Sequence, residues 1–295
     1  MSRYVITCCS TVDLTEDKLK ALDVSYVPFH YFLDETSFED DLYHSLSPSS
    51  FYKALLDGAE PKTAQVNTEE FTAFFEPFLA AGQDILHLSF SSGLSGTSQS
   101  ARVAADDLKE RYPDRRIVVI DTLAASSGYG LFVAMAAEMR LDGQSLDTVA
   151  AWAEANKKSV HHWFFSTDLS FFVKGGRLSR VSGWFGTVLK ICPLLNMDKD
   201  GHLTPRYKLR GKKRAMEAMI DKIKECAVGG ESYQGKCYLS HSDCYGDARA
   251  VADAIEAYAP TLKGKIEIYN IGPTIGCHTG PGTVALFFIG NERID

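Results

Sequence analysis

Between Ile85 and Ile120 the chain passes from an apolar strand through a loop rich in serine and glycine, along an amphipathic helix and back into an apolar strand. Ile85 to Phe90 reads as the first strand and Ile117 to Ile120 as the second, while Ala101, Ala104, Leu108 and Tyr112 recur at the spacing of a core-facing helical stripe. A strand, helix and strand in this order over about 36 residues predict a parallel pair joined by a right-handed crossover. Open α/β sheets of this kind bind ligands at the carboxyl ends of their strands. Cys9-Ser10-Thr11, the loop after Phe90 and Asp121-Thr122 are all expected at that edge.

The loop itself, Ser91-Ser92-Gly93-Leu94-Ser95-Gly96-Thr97, looks built to hold an anion. A helix N-terminus leaves amides without partners and carries partial positive charge, so a carboxylate or phosphate can settle there. Gly93 and Gly96 would let the backbone approach the ligand, and Ser91, Ser92, Ser95 and Thr97 would add hydroxyl donors. The plainer alternative is a strand-to-helix connection in which Ser95 or Thr97 merely caps a helix. There is no Gly-Lys-Ser/Thr of a P-loop, and the segment lacks the second glycine of a nucleophile elbow, so nucleotide binding and serine hydrolysis lose support.

The length of 295 residues predicts two domains, divided near Ser159 where the pattern changes, as 1–158 and 159–295. The expected fold is α/β: an N-terminal domain with a mainly parallel sheet and helices on both faces, a C-terminal mixed α+β sheet, and the ligand between them. In the first domain, Asp13 and Glu16 form a capping-box pattern, Ser47-Pro48 and Asn67 to Glu70 start two further helices, and Phe29 to Asp41 reads as irregular. The Ala-, Gly- and Ser-rich helix from Ala124 to Arg140 is suited to close packing on a sheet. In the second, Asn196 to Tyr207 reads as a hairpin turning at Asp200-Gly201. The net charge of -7 argues against general nucleic-acid binding, although Lys208 to Arg214 is a local basic patch. An odd count of 7 cysteines, no leader-like segment and no run long enough to span a membrane lead to the expectation of a cytoplasmic protein, with at most transient membrane contact.

Other segments carry chemistry of their own. His278 sits among the glycines and prolines of Gly272 to Gly282, a density that suggests unusual dihedrals and a histidine aimed at something; a tight structural turn is the alternative. Pro61-Lys62-Thr63-Ala64-Gln65 reads as a polar loop. Lys174-Gly175-Gly176-Arg177-Leu178-Ser179-Arg180, with Arg206 and Arg210, offers planar donors for a carboxylate or phosphate, or a face for an acidic partner. Cys8-Cys9 lacks metal or redox spacing, and His161-His162 points to opposite faces of a strand, so no metal is expected. Phe29, Phe32, Phe164, Phe165, Phe171, Phe172, Trp184, Phe185, Leu189 and Ile191 are core by default; if part of the set lines a tunnel, its ligand has an anionic head and a long apolar tail.

Five of these segments, Cys9 to Leu14, Pro61 to Gln65, Ser91 to Thr97, Lys174 to Arg177 and Gly272 to Gly282, stand in the same order as in the DegV family of bacterial fatty-acid-binding proteins, and the resemblance covers essentially the whole chain. It implies a two-domain α/β protein that buries one long-chain fatty acid, has no cofactor, and serves as the acyl carrier subunit of a fatty acid kinase, a separate ATP-binding subunit that forms the acyl phosphate. On that pattern Thr63 and Ser95 bond the carboxylate with His278 nearby, Ser92 and the Gly96 amide assist, and Ser10, Arg177, Arg206 and Arg210 touch the head group or the partner. The chain departs from the family in Cys9, where aspartate is usual, and in Thr63-Ala64-Gln65-Val66, where the family has Thr-Ser-Gln-Pro. A tail of about 15 methylenes at about 0.8 kcal/mol each represents on the order of 12 kcal/mol of gross transfer energy before association costs. Loading would require an element to open, and Phe29 to Asp41 and Lys174 to Ser182 are the expected candidates. The competing reading is an acyl or phosphoryl transfer enzyme with Ser95 as nucleophile and His278 as base; a sugar-phosphate or nucleotide binder is a third.

Overall fold

A computed structural model describes residues 4–178 and 191–293. Strand β1 (Tyr4–Cys9) leads through a short 3-10 turn into helix α1 (Glu16–Ala21) and β2 (Val24–Val27). The expected Asp13–Glu16 capping box is not formed: Thr15 is the N-cap, its hydroxyl accepting the Lys18 amide, and Asp13 lies before the helix in the left-handed region at φ 47°. The segment expected to be irregular is a hairpin, β3 (His30–Leu33) and β4 (Thr36–Glu39), followed by α2 (Pro48–Leu56) with Ser47 as its N-cap. Pro61 to Gln65 is not a loop either, because β5 (Pro61–Ala64) pairs antiparallel with β3 to complete a sheet in the order β4-β3-β5.

Helix α3 (Thr68–Ala80) starts with the predicted capping box of Asn67 and Glu70. The crossover follows as β6 (Asp84–Ser89), α4 (Thr97–Arg111) and β7 (Ile117–Asp121), giving a parallel sheet in the order β2-β1-β6-β7. The strand order reverses between the parallel neighbours β1 and β6, so the loops after Cys9 and Ser89 diverge at the carboxyl edge, where such sheets leave a crevice.

Helices α5 (Ser126–Leu141) and α6 (Leu146–Asn156) precede β8 (Val160–Ser166) and the short α7 (Ser170–Lys174). Then come β9 (Ile191–Met197), β10 (Leu203–Arg210), α8 (Lys212–Cys226), β11 (Cys237–His241), α9 (Tyr245–Tyr258), β12 (Glu267–Asn270), α10 (Pro273–Thr279) and β13 (Thr283–Ile289). Their mixed sheet has the order β10-β9-β8-β13-β11-β12, with the predicted β9–β10 hairpin at one edge. The glycine- and proline-rich segment around His278, expected to hold unusual dihedrals, is the regular helix α10 up to Thr279; only Gly280 and Gly282 beyond it have positive φ, at 63° and 84°.

Helix α5 joins the two large sheets. A Cβ on Gly130 would come within 2.5 Å of the Val12 carbonyl, and one on Gly128 within 2.4 Å of His162 and 2.5 Å of Phe287. Small residues therefore let the helix lie against the β1 side and the β8–β13 side at once, and one hydrophobic core runs from Ile6 and Leu86 through Leu131 to Phe164 and Phe287. A second cluster covers the other face of the mixed sheet beneath α8 and α9, which is why Phe164 and Phe165, adjacent on β8, belong to different cores. Among the described residues no helix is long and apolar enough to cross a membrane.

Candidate functional site

Where the carboxyl edge of the parallel sheet meets the mixed sheet and α10 there is a cavity of about 750 Å³, counting its mouth. Phe29, Phe90, Phe164, Phe172, Ile275 and Phe287 are prominent in its apolar wall. Thr63, Ser95, Arg177 and His278 also line it, so four residues from four separated motifs converge on one space.

Each is placed by its element. Thr63 lies opposite Tyr31 in the small sheet and its Oγ1 is 2.8 Å from His278 Nε2. His278 ends α10, and burial, with the Arg177 cation second, pushes its pKa down to about 3, so the ring is neutral. Among the described residues its Nδ1 is buried without a hydrogen-bond partner, and it faces Gly175, where a Cβ would lie only 2.1 Å away. Arg177 is half-buried; its Nε donates to the Leu94 carbonyl at 3.2 Å and its Nη1 to the Gly175 carbonyl at 2.7 Å. It thus ties the glycine loop to the serine loop while bringing positive charge to the cavity's polar end.

The serine loop is shaped by its own hydrogen bonds. The Ser91 carbonyl accepts the Leu94 and Ser95 amides, Asp121 Oδ1 accepts the Ser92 and Leu123 amides at 3.1 Å each, and Ser91 Oγ donates to the Gly201 carbonyl at 2.9 Å. The two glycines make room for neighbouring elements: a Cβ on Gly93 would meet the Gly201 carbonyl at 2.6 Å, and one on Gly96 would meet Gln65 Oε1 at 2.9 Å. Ser95 Oγ donates to Gln65 Oε1 at 3.4 Å and accepts the Thr97 amide at 3.3 Å. In the sequence Gln65 is only part of a polar segment; its spacing of two residues from Thr63 is the one signal that sets both on the same side once the segment is extended.

The remaining sequence candidates fall outside the cavity wall. Ser92 and Gly96 are exposed beside it. Ser10 is buried, and its Oγ accepts the Phe29 amide at 3.0 Å, so it fixes a wall residue without lining the wall. Arg206 bonds Asn196 Oδ1 at 2.8 Å on the edge strand, and Arg210 is exposed four residues further along it. Cys9 is buried with its thiol pushed up to about 12 by desolvation, and its Sγ is 3.9 Å from His87 Nε2. Ser179 to Ser182, with Trp184, Phe185 and Leu189, lie outside the described residues. Among those described, no group of three or more His, Cys, Asp or Glu side chains is arranged to hold a metal ion.

Comparison with known proteins decides the family. The DegV family, described as uncharacterised proteins, matches residues 4–291. The chain belongs to the DegV family. A DegV domain-containing protein of Clostridium perfringens is 36% identical over 293 residues, covering 99% of both chains. Another, of Streptococcus pyogenes, is 31% identical over 289 residues, covering 98% of this chain and 99% of that one. Among solved structures, a DegV family protein of Thermus thermophilus described by its fatty acid binding has a TM-score of 0.87 at 29% identity, over 98% of this chain and 99% of its own. A DegV lipid-binding protein of Thermotoga maritima has a TM-score of 0.81 at 28% identity, over 99% of each. The convergence of Thr63, Ser95 and His278 therefore occurs in a DegV fold whose solved relatives are described as binding lipid.

Proposed function

We propose that this DegV protein binds one long-chain fatty acid in the cavity, tail among the phenylalanines and carboxylate toward Thr63, Ser95 and His278, and presents that carboxylate to a separate ATP-binding kinase in the cytoplasm. Residues 1–158 and 159–295 act in this reading as two domains closing on the ligand. The observation that carries it is the convergence of Thr63, Ser95, Arg177 and His278, from four separated motifs, on a cavity whose wall is otherwise largely aromatic and aliphatic. The Gly96 amide, which has no acceptor among the described residues, adds a donor at the start of α4.

The protein is read as a carrier without chemistry of its own because the hydroxyl and imidazole are not wired as nucleophile and base. His278 Nε2 faces Thr63, Ser95 faces Gln65, and among the described residues His278 Nδ1 has no carboxylate to orient it. Lipid extraction and native mass spectrometry of the purified protein should find one fatty acid per chain. Replacing Thr63 by Val together with Ser95 by Ala removes two hydrogen bonds to a charged group, each worth about 1.5–3 kcal/mol, and should weaken oleate binding by on the order of 100-fold or more. A wild-type protein that neither carries nor takes up oleate or palmitate overturns the reading, and unchanged affinity in the double variant moves the carboxylate elsewhere.

A further inference from the structure

Gln65 belongs to none of the roles assigned so far, yet it holds the hydroxyl of Ser95, which lines the cavity. It follows β5 two residues after Thr63, and side chains two apart on an extended segment face the same way. Its Oε1 accepts the Ser95 hydroxyl at 3.4 Å and its Nε2 donates to Ser100 Oγ at 3.3 Å, so the amide spans from the strand end to the first turn of α4. The space it occupies exists because residue 96 is glycine: a Cβ there would stand 2.9 Å from Oε1 and 3.2 Å from Nε2. Gly96 has an ordinary φ of -74°, so accommodation of Gln65, rather than backbone conformation, explains the glycine. The Gln65 side chain is exposed to solvent while its partner Ser95 lines the cavity.

We propose that Gln65 is the head-group specificity residue of the fatty-acid site, a deepening that rests on the reading above. In the structure its carbonyl oxygen accepts the Ser95 hydroxyl. When a carboxylate arrives, Ser95 turns its proton to the ligand, and the Gln65 amide rotates about its last torsion to present Nε2–H in place of Oε1. A carboxylate is an acceptor only, so a glutamine in this position can follow it where a glutamate cannot. An alcohol, which both donates and accepts, is indifferent to the exchange. Gln65 would thereby select anionic head groups over neutral lipids of the same tail.

The test compares affinities of wild type, Gln65→Glu and Gln65→Met for oleate and for oleyl alcohol, with thermal melts to show that all three are folded. Gln65→Glu should lose about 100-fold or more for oleate while staying within about threefold for the alcohol, and Gln65→Met should lose about tenfold for oleate alone. Oleate affinity of Gln65→Glu within threefold of wild type overturns the proposal, as does an equal loss on both ligands, which would mark a change in cavity shape. Failure of wild type to bind oleate is a different result, visible before any variant is compared, and refutes the fatty-acid reading itself.

Discussion

His278 owes its place to a residue with no side chain. Gly175 has an ordinary φ, yet a Cβ on it would stand 2.1 Å from His278 Nδ1, so only glycine lets the ring keep its 2.8 Å contact with Thr63. Gly175→Ala should push the imidazole out of line, costing about 1–3 kcal/mol of stability and at least about tenfold in oleate affinity. Urea unfolding and a binding titration read the two effects, and a variant matching wild type in both would show that the ring has room to move. The sequence singled out His278 through the glycines around it, but attributed them to backbone conformation. Within α10 the reason is packing: a Cβ on Gly276 would lie 2.6 Å from Phe51. A residue at the cavity was legible from its neighbours; which atom each glycine makes room for requires the partner element, far away in the chain.

Among the elements, those with local signals were readable. Asn67 and Glu70 mark the start of α3, and the apolar stripe from Ala101 to Leu108 marks α4, because caps and helical periodicity are contained within one segment. The small sheet was not. Its strands have only four residues each, the β3–β4 turn at Asp34-Glu35 lacks the Asn-Gly or Asp-Gly of a tight hairpin, and β5 acquires its identity by pairing with β3 across α2. The same long-range dependence governs the serine loop, whose shape is set by the β9–β10 turn. Ser91 Oγ holds the Gly201 carbonyl at 2.9 Å and Gly93 packs against that carbonyl, while Gly201 itself has φ 80°. Gly93→Ala should therefore part the two elements, with about 1–3 kcal/mol of destabilisation, faster amide exchange in the turn from Asp198 to Leu203, and weaker oleate binding. Unaltered exchange in that turn would show that the loop stands without it.

For the whole molecule the decisive feature is that the alternating pattern predicted two sheets but not the single interior running between them around α5. Ionisable groups caught in such an interior tie stability to pH. Asp40, fully buried at the end of the β3–β4 hairpin, accepts the Thr274 amide at 3.4 Å and donates its own amide to the Phe29 carbonyl, linking the hairpin to the helix that carries His278. Burial raises its pKa from 3.8 to about 6, with Thr274 and nearby groups partly opposing the shift. The native state therefore binds a proton more tightly than the unfolded chain, and stability from this group is fully present below about 3.8 and lost as pH rises through about 6. Buried His87 runs the other way: desolvation lowers it from 6.5 to about 3, so its contribution is present above 6.5 and lost as pH falls toward 3. Asp40 thus offsets part of the acid sensitivity that the buried histidine imposes. Asp40→Asn removes the cost of a buried charge at neutral pH and the offset in acid. Relative to wild type, the variant should be more stable against unfolding at pH 7.5 than at pH 4 by roughly 2.5 kcal/mol, the linkage expected between those pH values for a pKa raised from 3.8 to about 6. Urea denaturation of both proteins at the two pH values measures the difference directly. An equal effect of the substitution at both would mean that Asp40 ionises as it does in water, and that the hairpin and α10 are joined without a charge penalty.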